Sequence, residues 1–198
     1  MGSPAEHWPL ATGADVRDAL LAAYADPSRG YHDTRHLTEV LSRLTELADH
    51  GTGFERTPVV LAAWFHDAVY DGERDAEERS ASWAEDALPG HADPVVVTET
   101  ARLVRLTETH RPADDDPNGC ALSDADLGIL AAPADRYAEY VTAVRDEYSH
   151  LPDEVFAKGR RDVLTDLLAK PRLFNTAYGR ETWEDAARAN VEAELAGF

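Results

Sequence analysis

The chain has 198 residues, of which 38 are acidic and 19 basic, for a formal net charge of -19. That field repels nucleic acid polymers and anionic lipid surfaces, so neither is an expected partner. A small phosphorylated molecule stays admissible, because a bound cation and one or two local Arg or His residues can reverse the potential inside a pocket.

One domain is expected over residues 1–198, large enough to build a full core without staples. The single cysteine, Cys120, cannot make an internal disulfide, which fits a reducing cytosol. Met1 to Ala14 has neither the basic region nor the apolar stretch of a secretory signal, and no run approaches the ~20 apolar residues of a membrane span. The expectation is a soluble cytoplasmic protein, with a homodimer left open.

Apolar residues recur at intervals of three and four, and long β-branched alternating runs are absent, so the expected fold is all-α. A first helix is predicted over Val16 to Tyr24, ending near Asp26-Pro27. The next, about Thr34 to Asp49, carries Leu37, Val40, Leu41, Leu44 and Leu47 on one stripe, with His36 at its edge. Thr57-Pro58 predicts a helix start with threonine as cap and proline at the first position. The segment that follows, Val59 to Phe65, is apolar on all sides and should be central.

Further helices are predicted over Ala76 to Ala87, from Asp93-Pro94 to about Thr109, and over about Ser123 to Leu130, Ala134 to His150, Asp153 to Leu168 and Glu181 to Leu195. Arg111 to Gly119, with Pro112, Pro117 and the run Asp114 to Asp116, is the clearest predicted loop. The acidic run lacks the later glycine and glutamate of a calcium loop and predicts a solvated turn. Trp64, Phe65, Trp83, Tyr137, Tyr140 and Tyr148 sit at helical spacing and are expected in the core.

The chemistry concentrates at His66-Asp67, which ends the apolar run. Adjacent residues on a helix point about 100° apart, so one ion bound there needs ligands from other segments. His36, His66, Asp67 and Asp126 together offer two imidazole nitrogens and two carboxylates from three predicted helices. Such a set suits Mn, Fe, Co, Ni or Zn better than Ca, which prefers oxygen alone. Taken singly, His36 also reads as an interfacial histidine and Asp67 as a helix-end carboxylate. A carboxylate at the end of a buried helix is nevertheless costly unless paired or metal-bound.

The order of His36, His66-Asp67 and Ala125-Asp126 resembles the HD superfamily of metal-dependent phosphohydrolases, whose signature is H...HD...D. The likeness extends to Tyr31-His32-Asp33-Thr34-Arg35-His36, Ala63-Trp64-Phe65-His66-Asp67-Ala68-Val69-Tyr70, Glu77-Glu78-Arg79-Ser80-Ala81 and Asp124-Ala125-Asp126-Leu127. These blocks, with Arg145-Asp146-Glu147-Tyr148 and Ala187-Arg188-Ala189-Asn190, look like those of a bacterial subfamily described as HD phosphohydrolases, over about residues 15–195. The chain departs from that subfamily in carrying Asp33 where Asn is usual and Thr34 where an apolar residue is common.

The resemblance implies a single-domain HD-type helical bundle with a central metal site, in which His36, His66, Asp67 and Asp126 bind one divalent transition metal. Asp124 is a competing ligand, and Asp126 is favoured because it matches the superfamily's Ala-Asp position. A second metal is less expected: only His91 and His110 lie between the doublet and Asp126, and Glu77 or Glu78 stands where some relatives carry histidine.

The implied activity is hydrolysis of a small phosphorylated metabolite, with nucleotides included. Glu77, Glu78 and His110 are candidates for acid or base, and Arg79, Arg145, Arg160 and Arg188 for gripping phosphate. Two alternatives stand beside it: a di-iron oxygenase of the same superfamily, and a non-catalytic metal- or nucleotide-binding sensor module.

Overall fold

The computed structural model describes residues 3–198. Ten α-helices form, α1 (Ala14–Tyr24), α2 (Thr34–Asp49), α3 (Arg56–Phe65), α4 (Ala76–Ala87), α5 (Pro94–Leu106), α6 (Pro117–Leu127), α7 (Ala134–Glu147), α8 (Asp153–Ala169), α9 (Ala177–Thr182) and α10 (Glu184–Ala196). Two short 3-10 turns, Pro4–His7 and Gly128–Ala131, complete the order. No β-strand forms among the described residues, and none of their helices is long and apolar enough to cross a membrane.

Helix α3 is the axis. Every residue from Pro58 to Phe65 is buried, and α2, α4, α5 and α6 pack around it. A helix apolar on all faces can settle only where neighbours cover every side. The second layer is built on α10, which packs against α8 and the Gly128–Ala131 turn. One continuous core joins the two layers, from Val16 and Leu20 through Leu61 and Trp64 to Leu164, Phe174 and Val191.

Helix α2 spans the predicted Thr34 to Asp49, and its start has a clear local cause. Asp33 Oδ1 accepts the amides of Arg35 and His36 at 2.8 and 3.1 Å. The carboxylate thus satisfies two of the four free N–H groups of the first turn and complements the helix dipole. The aspartate that departs from the subfamily pattern is spent on the helix cap.

Several boundaries differ from expectation, among them the start of α1 at Ala14 and the end of α7 at Glu147. Helix α3 starts at Arg56 with Glu55 at the cap, ahead of the Thr57 cap signal, because the Glu55 amide is held by Asn118 Oδ1 at 2.8 Å. Helix α6 begins at Pro117, inside the predicted loop. Asp116 caps it by accepting the Gly119 amide at 2.9 Å and also pairs with Arg102 at 2.8 Å. Gly119 is required there, since a Cβ would collide with the Asp116 carboxylate and Leu106. The last predicted helix divides at Trp183 into α9 and α10, and α5 gives way to turns after Leu106. Tyr148, expected in the core, is 38% exposed, and Trp83 is only partly buried.

Loss of the α2 cap should cost about 1 kcal/mol. In Asp33→Ala, thermal unfolding should move down by roughly 2–4 °C, while metal content stays at the wild-type level, because Asp33 bonds the His36 backbone and not its ring.

Candidate metal centre

Helix α3 ends where side chains replace its next rungs. The Ala63 carbonyl accepts from His66 Nδ1 at 2.9 Å, and the Asp67 amide donates to Tyr24 Oη at 3.2 Å. Arg29 then donates from Nη1 to the carbonyls of His32 and Asp67 at 2.9 and 2.7 Å, and from Nη2 to that of Ala68 at 3.0 Å. The chain therefore turns at the doublet. Side chains that a continuing helix would splay apart converge instead, with His66 Nε2 3.0 Å from Asp67 Oδ2.

A carbonyl oxygen only accepts, so the neutral His66 ring carries its proton on Nδ1 and directs the Nε2 lone pair inward. The first turn of α2 brings His36 opposite. Its Nδ1 meets Tyr31 Oη at 3.0 Å, and its Nε2 stands 3.0 Å from His66 Nε2. His36 Nε2 also lies 3.2 Å from Asp67 Oδ2 and 3.3 Å from Asp126 Oδ1. Asp126, near the end of α6, places the same oxygen 3.6 Å from His66 Nε2.

These spacings match a coordination shell. Ligands bound at about 2.1 Å are separated by about 3.0 Å when at right angles and about 3.4 Å when tetrahedral. One donor atom each from His36, His66 and Asp67 all lie within 4.8 Å of one another; Asp126 places an oxygen near both histidines but stands outside that group. Both imidazoles are buried, to 1% and 2% exposure. This buried His-His-Asp group could hold a metal ion; its donors do not single out which one.

The electrostatics call for a cation. Burial by itself would discharge His36, yet Asp126 and Asp67 hold its pKa above the usual range. Burial opposes the charged form of His66 as well, and Asp67 with Tyr24 and Asp126 raises it well above that range. The two carboxyls behave conversely: burial pushes them up, but His66 first among their neighbours holds Asp67 and Asp126 well below ordinary values. Two carboxylates facing two inward lone pairs are stable only with positive charge among them, carried by protons or by a metal ion.

The remaining predicted site residues scatter. His110 joins the cluster: its Nε2 lies 3.4 Å from Asp126 Oδ2 and its Nδ1 meets Ser123 Oγ at 3.0 Å. Its φ of 49° lies in the left-handed region that side chains seldom adopt, and burial lowers its pKa. Asp124 is committed elsewhere, accepting the amides of Asn175 and Thr176 at 2.7 Å each and Asn175 Nδ2 at 3.1 Å.

Glu78 is turned away on the surface and forms a two-pronged pair with Arg105 at 2.6 and 2.7 Å. Glu77 lines a different cavity, with Arg29, Tyr70 and Glu147. Among the arginines, Arg79 pairs with Asp71, Arg145 with Asp153 and two carbonyls, and Arg188 with Glu184 and the carbonyls of Leu168 and Lys170. Each guanidinium is drawn to nearby carboxylates or exposed helix-end carbonyls, as expected on an acidic chain. Only Arg160 of these four lines the cavity that reaches Asp126, a space of about 440 Å³ also bordered by Tyr31, His32, His110, Tyr140 and Lys170. Its Nε and Nη2 are held by Glu194 at 2.7 and 3.0 Å.

Several residues that shape the centre are not among the candidate site residues. Tyr24, Arg29 and Tyr31 fix the doublet and the His36 ring. Glu147 reaches from α7 to accept the amides of Gly30, Tyr31 and His32 at 3.0, 2.8 and 2.8 Å, and its other oxygen meets His32 Nδ1 at 2.8 Å. The quoted blocks contain Tyr31, His32 and Glu147, but their pairing is a tertiary fact.

Metal content measured on purified variants should separate these roles. His66→Ala should lose most bound metal, and normal occupancy would overturn the site. Tyr31→Phe should weaken metal affinity by about 10–100-fold, the usual scale for partners of a ligating histidine. Asp126→Asn should lower occupancy, whereas Asp124→Asn should keep it and lose about 1–3 kcal/mol of stability from its unmatched amides. The chain matches no model of a known protein family, no curated protein and no solved structure.

Proposed function

We propose that the protein is a metal-dependent phosphohydrolase acting on a small phosphorylated metabolite, with nucleotides as the first class to test. One observation carries the reading: two buried imidazole nitrogens 3.0 Å apart face Asp67 and Asp126, and Asp126 in turn lines a cavity that also presents Arg160 and Lys170. The resemblance to the HD superfamily supports it, since three of the residues it picks out, His36, His66 and Asp67, lie together and the fourth, Asp126, lies near both histidines.

His36, His66, Asp67 and Asp126 would hold the ion. A divalent cation there supplies Lewis acidity and a water of lowered pKa. The chain's own residues would do the rest. His110, kept neutral by burial, stands beside Asp126 at the cavity wall, where it can accept or pass on a proton. Arg160, fixed by Glu194 and lying over the Tyr140 ring at 5.0 Å, offers a rigid positive surface for a phosphoryl group. Two further histidines flank the carboxylates, His110 beside Asp126 and His32 near Asp67, and His32 is tied through Nδ1 to Glu147; we read one ion here in preference to the pair that an oxygen-using di-iron centre needs.

The chain loaded with Mn, Co, Ni or Fe should release phosphate from members of a broad phosphate-ester panel, and His66→Ala should abolish that release. No release with any metal, while an HD enzyme run alongside is active, would sink the proposal. Tight ligand binding without turnover would indicate a sensor module instead.

A further inference from the structure

The cavity over Asp126 adjoins a second one, with which it shares part of its wall. A space of about 570 Å³ is bordered by Arg111, Asp114, Arg172 and Asn175, and shares His110, Asp166 and Lys170 with the first. Three cations line it against two carboxylates, Asp114 and Asp166, on a chain whose net charge is -19.

Lys170 is the unusual member. The chain has two lysines. Lys158 is paired with Asp162 at 2.7 Å, whereas Lys170 has no carboxylate oxygen within 4.0 Å among the described residues. It is half-buried, and that burial lowers its pKa. An ammonium partly withdrawn from water, which Asp166 reaches only from beyond ion-pair distance, is a place where an anion gains most.

The two arginines nearby are loosely committed. Arg172 pairs with Asp114, which is 84% exposed, and Arg111 meets Asp166 only at 3.6 Å. Ion pairs this exposed are worth about 0–1 kcal/mol, so an incoming phosphoryl group can exchange for either carboxylate at little cost.

The loop that presents these groups is rigid. Its Leu173 amide donates to both carboxylate oxygens of Glu184 at 3.0 Å, and its Phe174 amide to one of them at 3.1 Å. Asp124 takes the Asn175 and Thr176 amides, and Arg188 Nη2 takes the Lys170 carbonyl at 2.9 Å. Leu173 and Phe174 are buried at 2% and 0% exposure. Lys170, Arg172 and Asn175 are therefore held at the cavity wall by a backbone fixed on both sides, so little ordering entropy is lost when an anion binds.

We infer that this second arm binds another phosphoryl group of the substrate, so that the preferred substrates are small esters carrying two phosphoryl groups, one at the metal centre and one at Lys170 and Arg172. The inference rests on the phosphohydrolase reading of the metal centre, and it requires that the two groups be separated by a spacer instead of sharing one ion.

Phosphonates, which are not hydrolysed, test it apart from turnover. Calorimetric titration of the metal-loaded chain should show butane-1,4-diyl bisphosphonate binding roughly tenfold or more tighter than butylphosphonate, the scale of a charge-assisted hydrogen bond. Lys170→Gln and Arg172→Gln should each cut that preference by several-fold, and Arg172→Gln, which borders only the second cavity, should leave butylphosphonate affinity within about twofold. Lys170→Arg should restore most of it. A preference unchanged in both glutamine variants, or absent in the wild type, overturns the second arm even if phosphate esters are turned over. A preference that depends on Lys170 supports the arm even if no ester is cleaved, in which case the hydrolase reading alone fails.

Discussion

The centre of this molecule is governed by one electrostatic constraint. Two buried imidazoles meet two largely covered carboxylates at the edge of the core, with histidine nitrogens 3.0 Å apart and Asp67 and Asp126 against them. Anionic oxygens and inward lone pairs repel unless positive charge lies between them. The same field that raises the histidines and depresses the aspartates is the one a divalent ion would experience. The surrounding structure holds these groups together against that repulsion.

Its means are ordinary backbone chemistry. The turn at His66-Asp67 exists because the Ala63 carbonyl accepts from the His66 ring, the Tyr24 hydroxyl accepts the Asp67 amide, and the Arg29 guanidinium collects the carbonyls that follow. Buried α3 provides the rigid platform. Preorganisation of this kind lets a site bind an ion without ordering its ligands first. The adjoining loop after α8 uses the same device, with Asp124, Glu184 and Arg188 satisfying successive backbone groups.

This economy explains why so many charged residues stand apart from the centre. Glu78, Arg79, Arg145 and Arg188 are conspicuous in sequence, and each is satisfied locally by a neighbouring opposite charge or a free carbonyl. Residue type announces capacity for catalysis or phosphate binding. Whether that capacity faces a cavity depends on helix rotation and on which partner is near, and neither is encoded in a short motif.

Sequence by itself determined the all-α class, the extent of α2 and α4, the central place of Val59 to Phe65, and a set of four metal donors to look for. Those features rest on hydrophobic period, capping residues and donor chemistry, all local or compositional, and the preference for Asp126 over Asp124 rests on the resemblance to the HD superfamily. Tertiary structure decided what local rules could not. It drew α6 back to Pro117 through the Asp116–Arg102 and Asn118–Glu55 contacts, divided the last helix at Trp183, and sent Asp124 to the α9 entrance while Asp126 faced the histidines. It also placed Lys170 in a cavity beyond ion-pair distance of any carboxylate among the described residues, through the packing of the α8 end against the loop after it. The physical reason is common to all of these: each is a contact that local sequence does not specify, and its energy exists only once the helices have packed.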